Sequence, residues 1–332
     1  MKIILEEHIN KRNLPKNLRE KDIHLFEKEF EKKIKATHII KTKNAFVFKD
    51  LIVSITLNLN KFTEYTHVVT KFNFLNRLKR ILLIRNGIHT IKKAAWVTDE
   101  WGLNYFHFIT ETLPRILILQ KVEDKTSILL PSFYKEHSFI NESIRELGCS
   151  VFFYDVNKPI YIKNLTIISH TAQSGNYNKL LINNLRSKLL LNKKINRQKK
   201  IYISREKAHS RKIMNEKEVI RLLESFDFEI HCFENYSFLD QIDLIAQSKI
   251  LVSIHGAGLT NMLFLGESNK VLEFRVKNDN HNNCYFSLAS DLNIDYYYQL
   301  CKGDNTYTQI ANIQVDLEEL KTNLIDMEKN NS

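Results

Sequence analysis

From about residue 94 onward, short apolar runs alternate with longer stretches in which apolar positions recur three and four residues apart. The short runs are rich in β-branched and aromatic residues and read as buried strands; the longer ones read as helices laid over them. This pattern predicts strands at 94–97, 127–131, 151–154, 160–169, 200–204, 229–233, 250–254, 270–274 and 294–298. It predicts helices at about 103–120, 139–147, 179–191, 215–225, 238–247, 259–265, 286–292 and 317–327. Strand and helix alternate through both halves, so the fold class is α/β with two parallel-sheet domains. The earlier residues follow no such rhythm. Residues 1 to about 40 are charged, with a helical patch at 25–34 that reads as an exposed helix or peripheral cap. Residues 44–57 read as two short strands meeting at Lys49-Asp50, and 72–84 fits helix or strand equally.

A polar, basic run at 193–200 is the best candidate for a domain boundary. The expected organisation is an extension over 1–90 packed on the first domain, domains at 91–195 and 196–315, and a closing helix at 316–332.

The stretch 249–274, KILVSIHGAGLTNMLFLGESNKVLEF, carries the strongest chemical signal. An apolar strand leads to His255-Gly256-Ala257-Gly258, where two glycines permit a tight turn and close approach by a ligand. A helix from about Leu259 would aim its free N–H groups at that turn, which suits a phosphate or diphosphate. A second apolar strand carries Glu273 near its end. The outline is that of a nucleotide site, although Asn261 stands where a dinucleotide fingerprint has a third small residue. A glycine turn without a ligand is the plain alternative.

The stretch 94–120, AAWVTDEWGLNYFHFITETLPRILILQ, is the second. His107 and Glu111 lie four apart on one face of the expected helix, and Pro114 bends or restarts it beside Arg115. An ordinary ion pair on a solvated face would look the same. Trp101, Tyr105, Phe106 and Phe108 make the surroundings aromatic, which favours an imidazole and a carboxylate suited to general-base work. Asp99, just ahead of the helix, is a further candidate. Arg205 follows the 200–204 strand directly, at the edge where open α/β sheets bind ligands, and suits bidentate contact with a diphosphate. Arg211 is either a second phosphate contact or a surface arginine.

Composition narrows the picture. The chain has 332 residues, 43% of them hydrophobic, and a formal net charge of +11. That balance fits phosphate-bearing substrates or an anionic membrane surface. No dense basic block interleaved with aromatics favours nucleic acid. The four cysteines have no CxxC spacing, so free thiols in a reducing compartment are expected, and His281–Cys284 is a lone HxxC without a second metal-ligand pair. No apolar run reaches the ~20 residues of a membrane helix. A cytoplasmic protein is expected, with contact to the inner membrane face through its charge.

Taken in order, three segments resemble glycosyltransferase family 61, particularly its bacterial members associated with capsule and other surface polysaccharides. They are Asn104-Tyr105-Phe106-His107 through Glu111 to Pro114-Arg115, then Tyr202-Ile203-Ser204-Arg205, then His255-Gly256-Ala257-Gly258-Leu259-Thr260-Asn261 with Glu273. The resemblance implies a GT-B-like architecture, two Rossmann-like domains facing across a cleft, the first on the acceptor side and the second holding the nucleotide sugar. It implies inverting transfer of a sugar from a nucleotide donor, usually UDP-linked, to a glycan or lipid-linked glycan, with no cofactor and no essential metal. The sequence itself has no Asp-x-Asp pair of the metal-binding kind. In this scheme Gly256 to Leu259 and Arg205 neutralise the leaving diphosphate, Glu273 takes ribose hydroxyls, and Asn261 contacts the donor or caps the turn. Glu111, with His107 and Asp99 as alternatives, takes the acceptor's proton. Rival readings are an NAD(P)-dependent oxidoreductase using the glycine turn and Glu273, and a non-catalytic nucleotide-sugar-binding scaffold.

Overall fold

The computed structural model describes residues 1–48, 51–54, 89–123, 125–277, 279 and 282–329. The turn expected at Lys49-Asp50, the ambiguous segment 72–84 and His281 lie outside them. The chain divides into two compact units: Met1–His8 with Lys35–Gln173, and Ile9–Ile34 with Ser174–Ser332.

Strands β1 (Lys2–Leu5), β2 (His8–Lys11), β3 (Glu31–Ile34), β4 (Thr37–Phe48), β5 (Leu51–Ser54) and β6 (His89–Trp96) precede the first long helix. Then follow β7 (Ile128–Pro131), β8 (Val151–Tyr154) and β9 (Ile160–Ile168). The first unit's sheet has the order β1-β4-β9-β6-β7-β8, with β5 paired to β4. β6, β7, β8 and β9 are mutually parallel, while β4 runs antiparallel to β9. Its core is built where these strands meet, from Ala45, Val47, Ala94, Trp96, Ile162 and Ile167, all essentially buried. The strand expected at 160–169 is continuous over Ile160–Ile168.

Helix α1 starts as α-helix at Tyr105–His107, widens to a π-helix over Phe108–Thr112 and resumes as α-helix over Leu113–Val122. Pro114 explains the change. It has no N–H to donate and disturbs the preceding turn, and the helix adapts by letting the Leu113 N–H reach back five residues to the Phe108 carbonyl. Helix α2 (Ser138–Glu146) follows in the same unit.

The second unit holds α3 (Lys179–Leu189), β10 (Lys199–Ile203), α4 (Glu216–Glu224), β11 (Phe228–His231), α5 (Phe238–Ala246) and β12 (Ser248–Ile254). It continues with a 3-10 helix (Ala257–Phe264), β13 (Lys270–Val276), α6 (Cys284–Asp291), β14 (Asp295–Gly303), β15 (Ile313–Gln314) and α7 (Leu317–Lys329). The sheet order β11-β10-β12-β13-β14-β15 places the first parallel strand between the second and third. All pairs are parallel except β14–β15. This is a doubly wound sheet, and its central strands β12 and β13 are buried almost throughout. Tyr202, Val252, Leu272, Phe274 and Tyr297 form the centre of one core layer.

Residues 9–34 depart from the exposed cap expected of them. The helical patch resolves into a 3-10 helix (Glu20–Leu25), a single α-turn (Glu27–Phe30) and strand β3. Phe26 is fully buried, its ring 5.1 Å from Phe286 and 5.0 Å from Tyr298. Asp22 accepts a 2.8 Å hydrogen bond from the Tyr298 hydroxyl, and Arg12 forms a buried 2.9 Å ion pair with Asp291. Tertiary burial of one aromatic ring thus overrides the local helical pattern. Phe26→Ala is expected to cost about 3–5 kcal/mol in urea unfolding; a loss below about 0.5 kcal/mol would mark the segment as peripheral after all.

Candidate functional site

Open parallel sheets bind ligands beyond the carboxyl ends of their strands, where successive connections diverge to opposite sides. In the first unit the strands flanking that point are β6 and β9, and in the second they are β10 and β12. Strand register then dictates which side chains meet.

In the first unit Trp96 pairs with Ile167, so Asp99 and His170 each lie three residues past a matched pair. Asp99 Oδ2 is 2.8 Å from His170 Nε2 and 3.3 Å from Arg115 Nη1, and its Oδ1 accepts the Trp101 N–H at 3.0 Å. Arg115 is fully buried and also donates to the Val97 carbonyl at 2.8 Å. Burial alone would push the Asp99 carboxyl upward, yet the hydrogen bond with His170 and the Arg115 charge outweigh it and hold the group well below the usual carboxylate range. A carboxylate so strongly held as an anion is a poor proton acceptor and a good anchor. In helix α1, Glu111 lies within the π-helical turn, where it is 7% exposed. His107 Nδ1 is 3.0 Å from Glu111 Oε1, at ion-pair distance but outside hydrogen-bond alignment. The half-exposed indole of Trp101 lies 5.8 Å from the His107 ring. The expected candidates Asp99, His107 and Glu111 are therefore brought together. His170 and the structural role of Arg115 were not foreseen.

Asp99, Glu111 and His170 each offer one atom within 4.8 Å of the others, a donor set that a divalent cation could use. The Arg115 guanidinium against Asp99 already supplies positive charge beside that donor set.

In the second unit Ile203 pairs with Ser253, which sets Arg205 level with His255. The loop after β10 folds back on its own guanidinium: Arg205 Nε donates to the Arg211 carbonyl and Nη2 to the Ser210 carbonyl, both at 3.3 Å. The group seats directly on Gly256. A Cβ built there would stand 2.5 Å from Arg205 Nη1, so only glycine leaves that seat free. Gly258 likewise lets the 3-10 helix lie close on Ile203, whose Cγ2 would be 3.1 Å from an added Cβ. Burial lowers the Arg205 pKa, and the neighbouring Arg211 charge lowers it further. Arg211 holds a left-handed backbone, φ +58°, and its Nε is buried without a partner among the described residues. The two arginines together put positive charge at the carboxyl end of β10.

The helix after the glycine turn is 3-10 and begins at Ala257, two residues earlier than expected. The Leu259 N–H already donates to the Gly256 carbonyl at 2.9 Å, which leaves the amides of Ala257 and Gly258 at the partly exposed lip. Asn261 is 1% exposed and faces inward, donating to the Gln241 side chain and the Gly258 carbonyl at 3.1 Å each, so it ties the turn. Glu273 lies mid-strand, because β13 runs on to Val276, and it is 1% exposed. Its Oε1 binds His255 Nδ1 and its Oε2 accepts the Tyr296 hydroxyl. Burial opposes the Glu273 charge, but the His255 and Arg275 charges and these hydrogen bonds hold its pKa below the ordinary value.

A family model described as Glycosyltransferase 61 matches residues 105–272, just over half of the chain. The chain belongs to glycosyltransferase family 61. The family 61 match runs from helix α1 into β13; β6 and Asp99 precede it, and Glu273 follows its last residue. Among curated proteins, a 91-residue stretch is 35% identical to the EGF domain-specific O-linked N-acetylglucosamine transferase of Drosophila melanogaster, covering 26% of this chain and 17% of that protein. A 104-residue stretch is 33% identical to the Rattus norvegicus protein of the same description, covering 30% of this chain and 19% of the other. The matched region thus spans under a fifth of these relatives. No helix among the described residues is long and apolar enough to cross a membrane.

The Asp99 arrangement has a measurable pH signature. A carboxyl whose folded pKa lies below its unfolded value of about 3.9 contributes stability above that value and loses it as pH falls toward the folded one. Asp99→Asn should therefore unfold more easily at neutral pH and lose less stability between about pH 4 and 2 than the unchanged chain, in thermal unfolding followed across pH. An identical acid limb in both would show that the cluster does not hold the charge.

Proposed function

We propose that this family 61 chain transfers a sugar from a nucleotide-sugar donor, UDP-linked, to a hydroxyl of a glycan acceptor, with inversion and without an essential metal. The observation that carries this reading is Arg205 seated on Gly256 beside Arg211 at the second unit's switch point. The two guanidiniums and the amides of Ala257 and Gly258 would receive the diphosphate, and by fixed charge they would do what a bound cation would do otherwise. The donor therefore belongs to the second unit and the acceptor to the first, in a GT-B-like division of labour. The animal relatives make an N-acetylglucosamine donor the first to try, and a surface-polysaccharide or lipid-linked glycan acceptor remains the reading drawn from the sequence motifs.

On the acceptor side, His107 is the preferred base. Glu111 stands at its Nδ1, buried and on the same helix, which leaves Nε2 as the nitrogen that accepts a proton. This reverses the order expected from sequence, where Glu111 came first: the carboxylate is the less exposed of the two and serves the imidazole. Asp99, anchored as an anion, fixes Arg115 and His170 around them. The exposed Trp101 ring offers an apolar face on which a sugar can rest. A nicotinamide dinucleotide also carries a diphosphate, so the guanidiniums suit either ligand, and the family 61 match is what favours the sugar nucleotide.

UDP titration by calorimetry tests the donor site. Arg205→Ala should weaken binding about 30-fold or more, and Gly256→Ala should weaken it by displacing the guanidinium. His107→Gln should leave UDP affinity intact and reduce transfer by about 10²–10⁴-fold. Equal UDP affinity in the unchanged chain and Arg205→Ala would sink the diphosphate assignment, and full activity in His107→Gln would sink the base. Loss of activity in chelator, restored by a divalent ion, would overturn metal independence.

A further inference from the structure

Glu273 is a carboxylate with no route to solvent, and both of its oxygens are engaged, by His255 and Tyr296. It meets a ligand only through His255. The ring of His255 is pinned on three sides: its backbone N–H extends the sheet by bonding the Phe274 carbonyl at 3.0 Å, Tyr285 packs edge-on at 5.0 Å, and Nδ1 is committed to Glu273. Its Nε2 makes no hydrogen bond among the described residues, and the side chain is 11% exposed. The next residue is Gly256, on which Arg205 sits.

We propose that His255 is a catalytic residue of the donor site, donating from Nε2 to the β-phosphate of the leaving nucleoside diphosphate, and that Glu273, itself held by Tyr296, is its positioning residue. This rests on the nucleotide-sugar reading above and replaces the ribose role expected for Glu273. In the reaction the bond between the anomeric carbon and the β-phosphate oxygen breaks, and its electron pair stays on that oxygen. The acceptor oxygen forms the new bond and gives its proton to the general base. His255, in its protonated form, needs only to donate a hydrogen bond to the oxygen that gains charge, and Glu273 balances the imidazolium behind it. Interactions that strengthen as charge develops on the leaving group lower the barrier rather than merely tightening binding.

UDP and UMP differ by the β-phosphate alone, so their ratio of affinities reads this contact directly. By calorimetry, His255→Phe, which keeps a ring against Tyr285 but has no N–H, should lose about tenfold in UDP affinity while UMP affinity holds. Glu273→Gln should narrow the ratio in the same direction. Because His255→Phe strands the Glu273 charge, the double variant His255→Phe with Glu273→Gln removes that cost, and it should show the same collapsed ratio. Equal losses for UDP and UMP, or an unchanged ratio in the double variant, would overturn the assignment while leaving the donor site in place. An unchanged chain that binds neither nucleotide would overturn the donor-site reading itself.

Discussion

A carboxylate taken out of water must be answered by a positive charge or by donors, and both candidate sites in this chain are organised around that requirement. Asp99 is answered by Arg115, His170 and the Trp101 amide. Glu273 is answered by His255 and Tyr296, with Arg275 nearby. Desolvation disfavours each charge, so neither would persist without these partners at fixed positions. Two of these partners, His170 and His255, are imidazoles just past the carboxyl ends of parallel strands, where the sheet exposes side chains to ligands. Satisfying the buried anion and orienting the reactive ring are one and the same act.

Parallel register delivers those partners without any long-range coincidence. Once Trp96 is level with Ile167, Asp99 and His170 must be neighbours; once Ile203 is level with Ser253, Arg205 must stand beside His255. A slip of one residue in β9 or β12 would turn every side chain to the opposite face and separate each pair. The apolar runs that define the strands therefore also define the sites. Ala45, Ala94 and Ile162 in one core, and Val252 and Leu272 in the other, serve function by allowing only one register.

Much of this was legible in the chain. Periodicity located the parallel strands and the helices between them; the strand end pointed to Arg205, the glycine turn to His255, and the approach to α1 to Asp99. The same rule applied to Ile167-Ile168-Ser169-His170 would have found His170, since it ends like Tyr202-Ile203-Ser204-Arg205. What was not legible depended on distant packing. The pattern at 25–34 is helical by spacing, but Phe26 is drawn into a pocket made by Phe286, Tyr296 and Tyr298, some 260 residues on. The burial of Glu273 followed from β13 running two residues further than its apolar run suggested. Pro114 announced a break in α1, but not that the helix would absorb it as a π-turn carrying Glu111.

Two of the imidazole–carboxylate pairs, His107–Glu111 and His255–Glu273, differ in a way that suits the opposite tasks proposed for them. Glu111 and His107 share one helix four residues apart, with a contact that is close but not aligned, so a small rotation of either side chain can make or release it. A base must cycle between protonated and neutral forms, and a compliant partner suits it. Glu273 and His255 come from two adjacent strands, are bonded directly and are packed against Tyr285 and Tyr296. A donor to a leaving phosphate has to be in position before charge develops, because reorganisation during the step would add to the barrier. The looser pair sits on the helix that Pro114 disturbs, and the tighter one on the most buried strands of the second sheet. In the proposed scheme, backbone context, more than side-chain type, separates the proton acceptor from the fixed donor.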